Sequence, residues 1–232
     1  MKNVYSPYQE DLLQLSSTFS KMLKQKFGKG PETCFITFHS NRLAIHVKNY
    51  MTPAEEALIE DNKELLAYNF RYAVMETVLG DFKVEAYNRL GITFDTYYND
   101  WNYEHNSGIL LLEPKNSMNW IETKADHLLK ERLIDQISKI SSFIHKVPEK
   151  VELIKINHNM FAVQCKGAIT KIESVLYRKG QVDLLQEHAR DVKNNYLNHR
   201  EDFQSVFGRP IEGFYMTWDY PNNHCYLFFH LK

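Results

Sequence analysis

The chain has 232 residues, with 28 Lys and Arg residues against 29 Asp and Glu residues, so its formal net charge is −1. This length suits one large domain or two small ones. Hydrophobic residues make up 44% and charged residues 25% of the chain, which is typical of a folded protein and excludes extensive disorder. The balanced charge excludes a basic arm of the kind that binds nucleic acids, so we expect no nucleic-acid partner.

The sequence offers no segment of the kind that directs a protein into or across a membrane. Its first residues lack the apolar run of a secretory signal. The most concentrated aliphatic run, residues 109–112, is far shorter than the roughly 20 residues that span a bilayer. The cysteines Cys34, Cys165 and Cys225 form no C-x-x-C motif, which is typical of reduced thiols. We therefore expect a soluble cytoplasmic protein without direct membrane insertion.

The first predicted element is an amphipathic helix. Gly28 and Pro31 follow its last apolar residue and predict the helix end, because neither residue continues a helix comfortably. The apolar residues that recur at helical spacing are Leu12, Leu15, Phe19, Met22, Leu23 and Phe27.

A β-hairpin follows, with Ser40 and Asn41 as its two turn residues. This turn places apolar residues together on one face, as a half-buried antiparallel pair requires. The predicted pairs are Phe38 with Leu43, Ile36 with Ile45, and Cys34 with Val47. In the second half of the chain, the same rule predicts one shared face for Ile154, Ile156, Phe161 and Val163.

A capping box begins the next helix, which we predict to be long. The Thr52 hydroxyl can accept a hydrogen bond from the Glu55 amide, while the Glu55 carboxylate reaches back to the Thr52 amide. Pro53 suits the first helical position, where its missing N–H has no partner anyway. Two strands complete the pattern, near residues 92–98 and 108–113, and a long loop over residues 99–107 joins them.

The same order of elements recurs about 118 residues later, which indicates a duplicated domain. A second capping box runs from Thr170 to Glu173, and the last two strands are predicted at residues 211–219 and 224–231. The predicted fold class is α+β, a tandem duplication of an α-β-β-α-β-β unit. We expect antiparallel sheets with helices packed on one face, in a pseudo-twofold arrangement. The first copy is predicted at residues 1–116 and the second at residues 117–232.

The best candidate for a small-ligand site is the turn Gly28-Lys29-Gly30. Two glycines around a lysine can present backbone amides and an ammonium group to an anion. The spacing of a phosphate-binding P-loop is absent, and these glycines end a helix rather than precede one. A simple helix C-cap is the alternative interpretation, and the sequence leaves both open.

Three polar residues of the hairpin complete the candidate ligand-binding set: His39, Arg42 and His46. The register pairs His39 with Arg42 and His46 with Phe35, so the two imidazoles lie roughly 13 Å apart along the strands. One metal ion cannot reach both imidazoles at that separation. We therefore predict no metal site and no cofactor.

No nucleophile motif stands out in the rest of the sequence. Cys34 and Cys165 fall on the predicted core face, and His224 points to the opposite face from Cys225, so no activated thiol is expected. Aromatic residues gather at the end of each copy. Because the charge around those of the first copy is acidic, a sheet core or a protein interface is favoured over a nucleobase-stacking surface. The sequence therefore assigns no catalytic residue.

The motif FGKGP at residues 27–31, followed by a hairpin and by MTPAEEALIE at residues 51–60, resembles the MpsC-like family. The resemblance covers about residues 8–114, and residues 125–232 look like a diverged second copy without FGKG. Members of this family are small cytoplasmic proteins of Gram-positive and other bacteria. They are associated with a sodium-translocating, membrane-potential-generating system that is also tied to bicarbonate supply. The resemblance implies an accessory role beside membrane partners, through which the protein would be peripheral to the membrane.

Three functional hypotheses remain open at this point. The resemblance favours a noncatalytic accessory or regulatory protein of such a cation-translocating or bicarbonate-supply system, which acts through contacts with a membrane transport complex. The first alternative is a small-molecule or anion sensor with Lys29 in its site. The second is an enzyme of unrecognised type that uses His39, His46 or Glu55 between the two copies. The chain is expected to be a monomer with internal pseudo-symmetry or a homodimer.

Overall fold

The computed structural model describes residues 8–115 and 127–232, which divide between two units. The first unit is Met1–Asn119 and the second is Trp120–Lys232. Over its described residues each unit contains a four-stranded antiparallel sheet with helices, which confirms the α+β class and is consistent with a tandem duplication. The predicted boundary between residues 116 and 117 lies outside the described residues, so it stays a prediction.

The first unit follows the predicted order of elements over its described residues, except that two helices stand where one was predicted. In chain order these are α1 (Gln9–Phe27), β1 (Thr33–His39), β2 (Arg42–Lys48), α2 (Pro53–Glu60), α3 (Glu64–Leu90), β3 (Thr96–Asn102) and β4 (Ser107–Glu113). The strand order in the sheet is β1-β2-β4-β3, so the second hairpin strand and the last strand are central.

The register predicted for the first hairpin is confirmed. Phe38 pairs with Leu43, and the pairs Ile36–Ile45 and Cys34–Val47 follow at the expected spacing. The turn residues Ser40 and Asn41 have φ of 50° and 61°, the left-handed conformation that two-residue hairpin turns favour. The helices α1 and α3 pack over this face, and the buried side chains there include Leu15, Phe19, Leu23, Leu43, Ile45, Val47, Leu79 and Phe82.

The prediction of one long helix after the capping box is wrong, because this segment forms two helices, α2 and α3. Asn62 adopts a left-handed conformation with φ of 55°, and the Lys63 amide donates to the Leu58 carbonyl at 2.7 Å. This pair of features is the Schellman ending of a helix. The second unit repeats it, with Gly180 at φ of 69° and a hydrogen bond from the Gln181 amide to the Leu176 carbonyl.

The second unit has the same plan with one more helix break over its described residues. Its elements are α4 (His127–Ile144), β5 (Lys150–Lys155), β6 (Met160–Lys166), α5 (Lys171–Arg178), α6 (Val182–Leu197), α7 (Arg200–Phe207), β7 (Ile211–Asp219) and β8 (His224–Leu231). The strand order β5-β6-β8-β7 matches that of the first unit. The helices α6 and α7 therefore stand where the first unit has α3.

The face predicted for the second hairpin is partly wrong. Ile154 pairs with Ala162, whereas Leu153 pairs with Val163 in the helix-covered core. The connection between β5 and β6 is longer than the two-residue turn of the first hairpin. Because side chains alternate along a strand, a shift of one residue turns each side chain to the other face.

The final strands are predicted correctly in the second unit and less well in the first. The strands β7 and β8 have the predicted bounds, but β3 starts at Thr96 and continues to Asn102. The predicted long loop over residues 99–107 is wrong, since Asn99 pairs with Leu110 and Asn102 pairs with Ser107. The Asn102 side chain accepts from the His105 amide at 2.9 Å, which holds a tight turn that the polar sequence concealed.

Candidate functional site

Each unit buries the carboxylate of its capping box. In the first unit the amide and hydroxyl of Thr52 donate to Glu55 Oε2 at 2.9 and 2.7 Å. In the second unit the amide and hydroxyl of Thr170 donate to Glu173 Oε2 at 2.7 and 2.6 Å. Glu55 is 0% exposed and Glu173 is 2% exposed. A carboxylate this deeply buried requires a compensating partner, because burying an unpaired charge is very costly.

Arginine compensates the carboxylate of the first unit. Arg71, on the second turn of α3, donates from Nε to Glu55 Oε1 and from Nη2 to Glu55 Oε2, the latter at 2.5 Å. Its side chain is 2% exposed, so the ion pair is excluded from solvent. The planar guanidinium matches both carboxylate oxygens at once, which a lysine cannot do. This ion pair joins α2 to α3.

Aromatic rings surround the guanidinium of Arg71. Its Cζ lies 4.3 Å from the ring centroid of Trp101 and 4.5 Å from that of Tyr50. The rings of Phe27 and Tyr103 lie farther away, at 5.6 and 5.7 Å. Burial raises the pKa of the Tyr50 and Tyr103 hydroxyls well above the ordinary range, so both rings stay neutral. We call these four rings with Arg71 the arginine cage.

Little free space remains beside the arginine cage. A cleft of about 10 Å³, lined among others by Tyr50, Arg71, Trp101 and Asn106, is the size of about one water molecule. The Asn106 side chain is itself engaged, since it accepts from the Tyr50 and Met51 amides at 2.7 and 2.6 Å. The Glu55 carboxylate and the Arg71 guanidinium therefore bind each other and stabilise the fold.

Two histidines compensate the carboxylate of the second unit. His145, which directly follows α4, places Nε2 at 3.0 and 2.9 Å from the two oxygens of Glu173. His188, on α6, places Nε2 at 3.4 Å from Glu173 Oε1. Burial alone would raise the pKa of Glu173, but hydrogen bonds from His145 and Thr170 outweigh it and hold this pKa below its ordinary value. We call His145, Glu173 and His188 the histidine cluster.

The two imidazoles of the histidine cluster differ in their surroundings. The His145 side chain is 5% exposed and packs edge-on against Trp218, with ring centroids 5.1 Å apart. Trp218 in turn stacks on Tyr220, at 6.1 Å and 7° between the rings. The His188 side chain is 43% exposed. The His145 imidazole is thus held in place by Trp218, and the His188 imidazole lies at the surface.

The histidine cluster was missed by the sequence reasoning because its members come from three separate elements. The helices α3 and α6 begin 118 residues apart, at Glu64 and Val182, so Arg71 corresponds to Ala189. The repeat therefore retains the glutamate of the capping box and loses its arginine. The loss of this arginine can be recognised in the sequence, and it predicts that another cationic or polar group pairs with Glu173. His188 is the residue directly before Ala189.

The predicted Gly28-Lys29-Gly30 site has a structural role in the first unit. Gly28 ends α1 with φ of 77°, and its amide donates to the Lys24 carbonyl, as expected of a helix C-cap. Lys29 Nζ donates to the Met51 carbonyl at 2.7 Å, directly before the capping box. Its counterpart Lys146 reaches the Ile169 carbonyl at 3.4 Å in the second unit. Gly30 packs against α1, and anion binding at this turn stays a prediction.

The structure does not bring the hairpin residues to that turn as one site. His39 and Arg42 face each other at the far end of β1 and β2, and His46 pairs with Phe35 near the other end. Arg42 Nε contacts Glu113 Oε1 at 2.5 Å, and its Nη1 donates to the Ser40 carbonyl. The ligand-binding role of His39, Arg42 and His46 therefore stays a prediction.

The comparison with known families concerns the unit that holds the arginine cage. Residues 12–112 match the MpsC family. The sequence model of this family is described as Na+-translocating membrane potential-generating system (MpsC), and the MpsC match runs from α1 to β4. It includes Glu55 and Arg71 and ends before the second unit, so the interpretation of that unit as a diverged MpsC copy stays a prediction.

Other comparisons add nothing to the MpsC match. No curated protein and no solved structure matches the chain. None of the described helices is both long enough and apolar enough to cross a membrane.

Proposed function

We propose that the chain is a noncatalytic accessory or regulatory protein of a membrane-potential-generating, cation-translocating system, and that it acts through contacts with a membrane transport complex. The observation that carries this proposal is the MpsC match over residues 12–112. A link to bicarbonate supply, a bacterial source and a cytoplasmic location belong to the same proposal.

The chemistry of the matched unit supports a role in contacts. Its buried carboxylate and guanidinium bind each other in two places, and four aromatic rings enclose them. An ion pair that joins α2 to α3 in this way fixes the outer surface of those helices. Surfaces that are rigid before binding lose less entropy when a partner docks.

The outer surface of α3 offers apolar side chains next to this rigid core. Leu66 is 53% exposed and Phe70 is 38% exposed, and they lie one helical turn apart. The Phe70 ring packs edge-on against Phe27 of the arginine cage, with centroids 5.9 Å apart. An exposed leucine and phenylalanine on one turn form an apolar surface suited to a protein partner. We call Leu66 and Phe70 the α3 patch.

The test is recovery of the partner from the cells that produce the chain. A tagged full-length chain is cross-linked in those cells, and captured proteins are identified by mass spectrometry. We expect a membrane subunit of a cation-translocating complex in the captured material. Leu66→Asp should reduce its recovery at least fivefold, because the substitution places a charge on the α3 patch.

The control variant is Glu64→Gln, which changes an exposed polar residue near the α3 patch and leaves the apolar surface intact. We expect unchanged recovery for this variant. Capture of the chain alone, from cells that contain the membrane subunits, contradicts the proposal. Equal recovery of the partner with Leu66→Asp and with the unmodified chain would show that the α3 patch is not the contact surface.

A further inference from the structure

We propose that His145, Glu173 and His188 form a binding site for one divalent transition-metal ion of the zinc class, with one coordination position left to water. The sequence had argued against a histidine metal site on the basis of His39 and His46, and neither belongs to this cluster. The inference concerns the second unit and is independent of the proposed role in a transport system.

The spacing of the donor atoms suits a single ion. Glu173 Oε1 lies 3.0 Å from His145 Nε2 and 3.4 Å from His188 Nε2. The three groups offer ligand atoms that all lie within 4.8 Å of one another. Zinc binds imidazole nitrogen and carboxylate oxygen at about 2.0–2.2 Å, so neighbouring ligands of a tetrahedral ion lie about 3.4 Å apart. Small side-chain rotations bring the three donors onto one ion.

The charge of the cluster also favours a cation. Glu173 is 2% exposed, and in the described part of the chain it pairs with two imidazoles and with no arginine or lysine. In the first unit the fixed charge of Arg71 fills the corresponding role. A divalent ion supplies that positive charge in the second unit. Each imidazole then ligates through Nε2 and carries its hydrogen on Nδ1.

The surroundings provide two fixed ligands and one accessible ligand. His145 is packed against Trp218 and its orientation is therefore fixed before an ion arrives. Glu173 is fixed by its hydrogen bonds from Thr170. His188 is 43% exposed, so an ion and a water ligand can enter from its side. Ligands that are held in place before binding, together with one side open to solvent, are typical of a three-ligand zinc site.

The ligand types select the class of ion. Two imidazoles and one carboxylate suit zinc and its neighbours cobalt and nickel, whereas calcium and magnesium prefer sites built from oxygen atoms alone. The described geometry therefore predicts strong preference for Zn2+ over Mg2+. Calorimetric titration of the full-length chain, freed of metals by a chelator, with ZnCl2 and with MgCl2 measures this preference.

The expected result is one Zn2+ ion per chain at this site and no measurable binding of Mg2+. His145→Ala and His188→Ala should each weaken Zn2+ binding at least tenfold, since each removes one of three ligands. Co2+ in place of Zn2+ should give the visible absorption of a four-coordinate cobalt site, and both variants should lose it. Because the His188 side chain is half exposed, its removal leaves the fold intact, which circular dichroism verifies.

The control is His199→Ala, which removes another half-exposed histidine of the second unit, one paired with Asp202. This variant should bind Zn2+ as the unmodified chain does. Absence of stoichiometric Zn2+ binding overturns the proposal. Binding that survives in both His145→Ala and His188→Ala overturns it as well, because the ion must then be held by other residues.

Discussion

The two units bury the same carboxylate and compensate it in different ways. Glu55 and Glu173 both stand at the third helical position after a threonine, and both receive hydrogen bonds from that threonine. Glu55 is held by a guanidinium that is always charged. Glu173 is held by two imidazoles, which can also bind a metal ion. The capping carboxylate is thus the constant part of this fold, and its partner is the variable part.

The aromatic residues near the two carboxylates also differ between the units. In the first unit Trp101 pairs in register with Gly108, and the missing side chain of Gly108 leaves room for the indole beside Arg71. In the second unit Trp218 pairs with Cys225, and the indole instead contacts His145 and Tyr220. The exchange of arginine for histidine is therefore accompanied by a rearranged aromatic neighbourhood.

The largest effect is expected from breaking the ion pair of the first unit. Arg71→Met keeps an unbranched apolar stem but removes the guanidinium, so Glu55 stays buried without a cation. Removal of one partner of a buried ion pair costs about 3–5 kcal/mol of the free energy of unfolding. Urea unfolding followed by circular dichroism measures this loss.

Two further variants show whether the loss comes from the stranded charge. Arg71→Met combined with Glu55→Gln removes both charges and should recover most of the stability, because a neutral replacement of a buried ion pair is often tolerated. Lys63→Met removes an exposed ion pair with Asp61 and should change the stability little. A double variant as unstable as Arg71→Met alone would show that packing of the guanidinium, rather than charge, holds this site.

The second prediction addresses the carboxylate of the second unit. Glu173→Gln should lower the free energy of unfolding at neutral pH by about 1.5–3 kcal/mol, the range of hydrogen bonds to a charged group. The lowered pKa of Glu173 means that the native state favours the ionised form. Its stabilising effect is complete above about pH 4.5, the ordinary value, and is lost as the pH falls through the lowered native pKa.

Unfolding from pH 7 to pH 3, in the presence of a chelator to exclude metal ions, measures this pH dependence. The difference between the unmodified chain and Glu173→Gln should shrink as the pH falls below about 4.5, because glutamine does not titrate. A difference that is constant over this range contradicts the assignment of the acid-sensitive stability to Glu173.

Much of the fold was predictable because its signals are local. The capping boxes at Thr52 and Thr170 and the register of the first hairpin depend on residues close in sequence, and the structure confirms them. The errors arose where a local detail of the backbone decides the geometry. Asn62 breaks a helix through a left-handed conformation, and the longer second hairpin connection reverses the face of Ile154.

The sites were harder to predict because their residues are distant in sequence. Glu55 and Arg71 lie on two helices, and His145 joins Glu173 only after the chain has passed through a complete hairpin. Spacing rules treat one segment at a time and cannot detect such clusters. Comparison of the two copies could have revealed the second site. The second copy keeps Glu173 but has Ala189 where the first has Arg71, so a different residue must pair with the carboxylate.

A smaller effect is expected from Gly108→Ala, which makes the first unit more like the second. A Cβ atom at Gly108 would lie 2.1 Å from the ring of Trp101, so the indole must move away from Arg71. Overpacking of this kind costs about 1–3 kcal/mol. Tryptophan fluorescence and urea unfolding report the displacement and the loss. Gly80→Ala on α3, where a Cβ meets nothing within 4 Å, is the control and should not destabilise the chain.

The smallest effect is expected at the two lysines that the units share. Lys29 and Lys146 each donate to the carbonyl that precedes a capping box, at 2.7 and 3.4 Å. If both are structural ties, Lys29→Met and Lys146→Met should each cost about 1 kcal/mol, with the larger loss at the shorter hydrogen bond. Lys26→Met, at an exposed position of α1, should cost less than either. Phosphate titration separates this role from anion sensing: phosphate binding by the unmodified chain that disappears in Lys29→Met would make Lys29 a ligand-binding residue, and the two units would then differ in function at this position too.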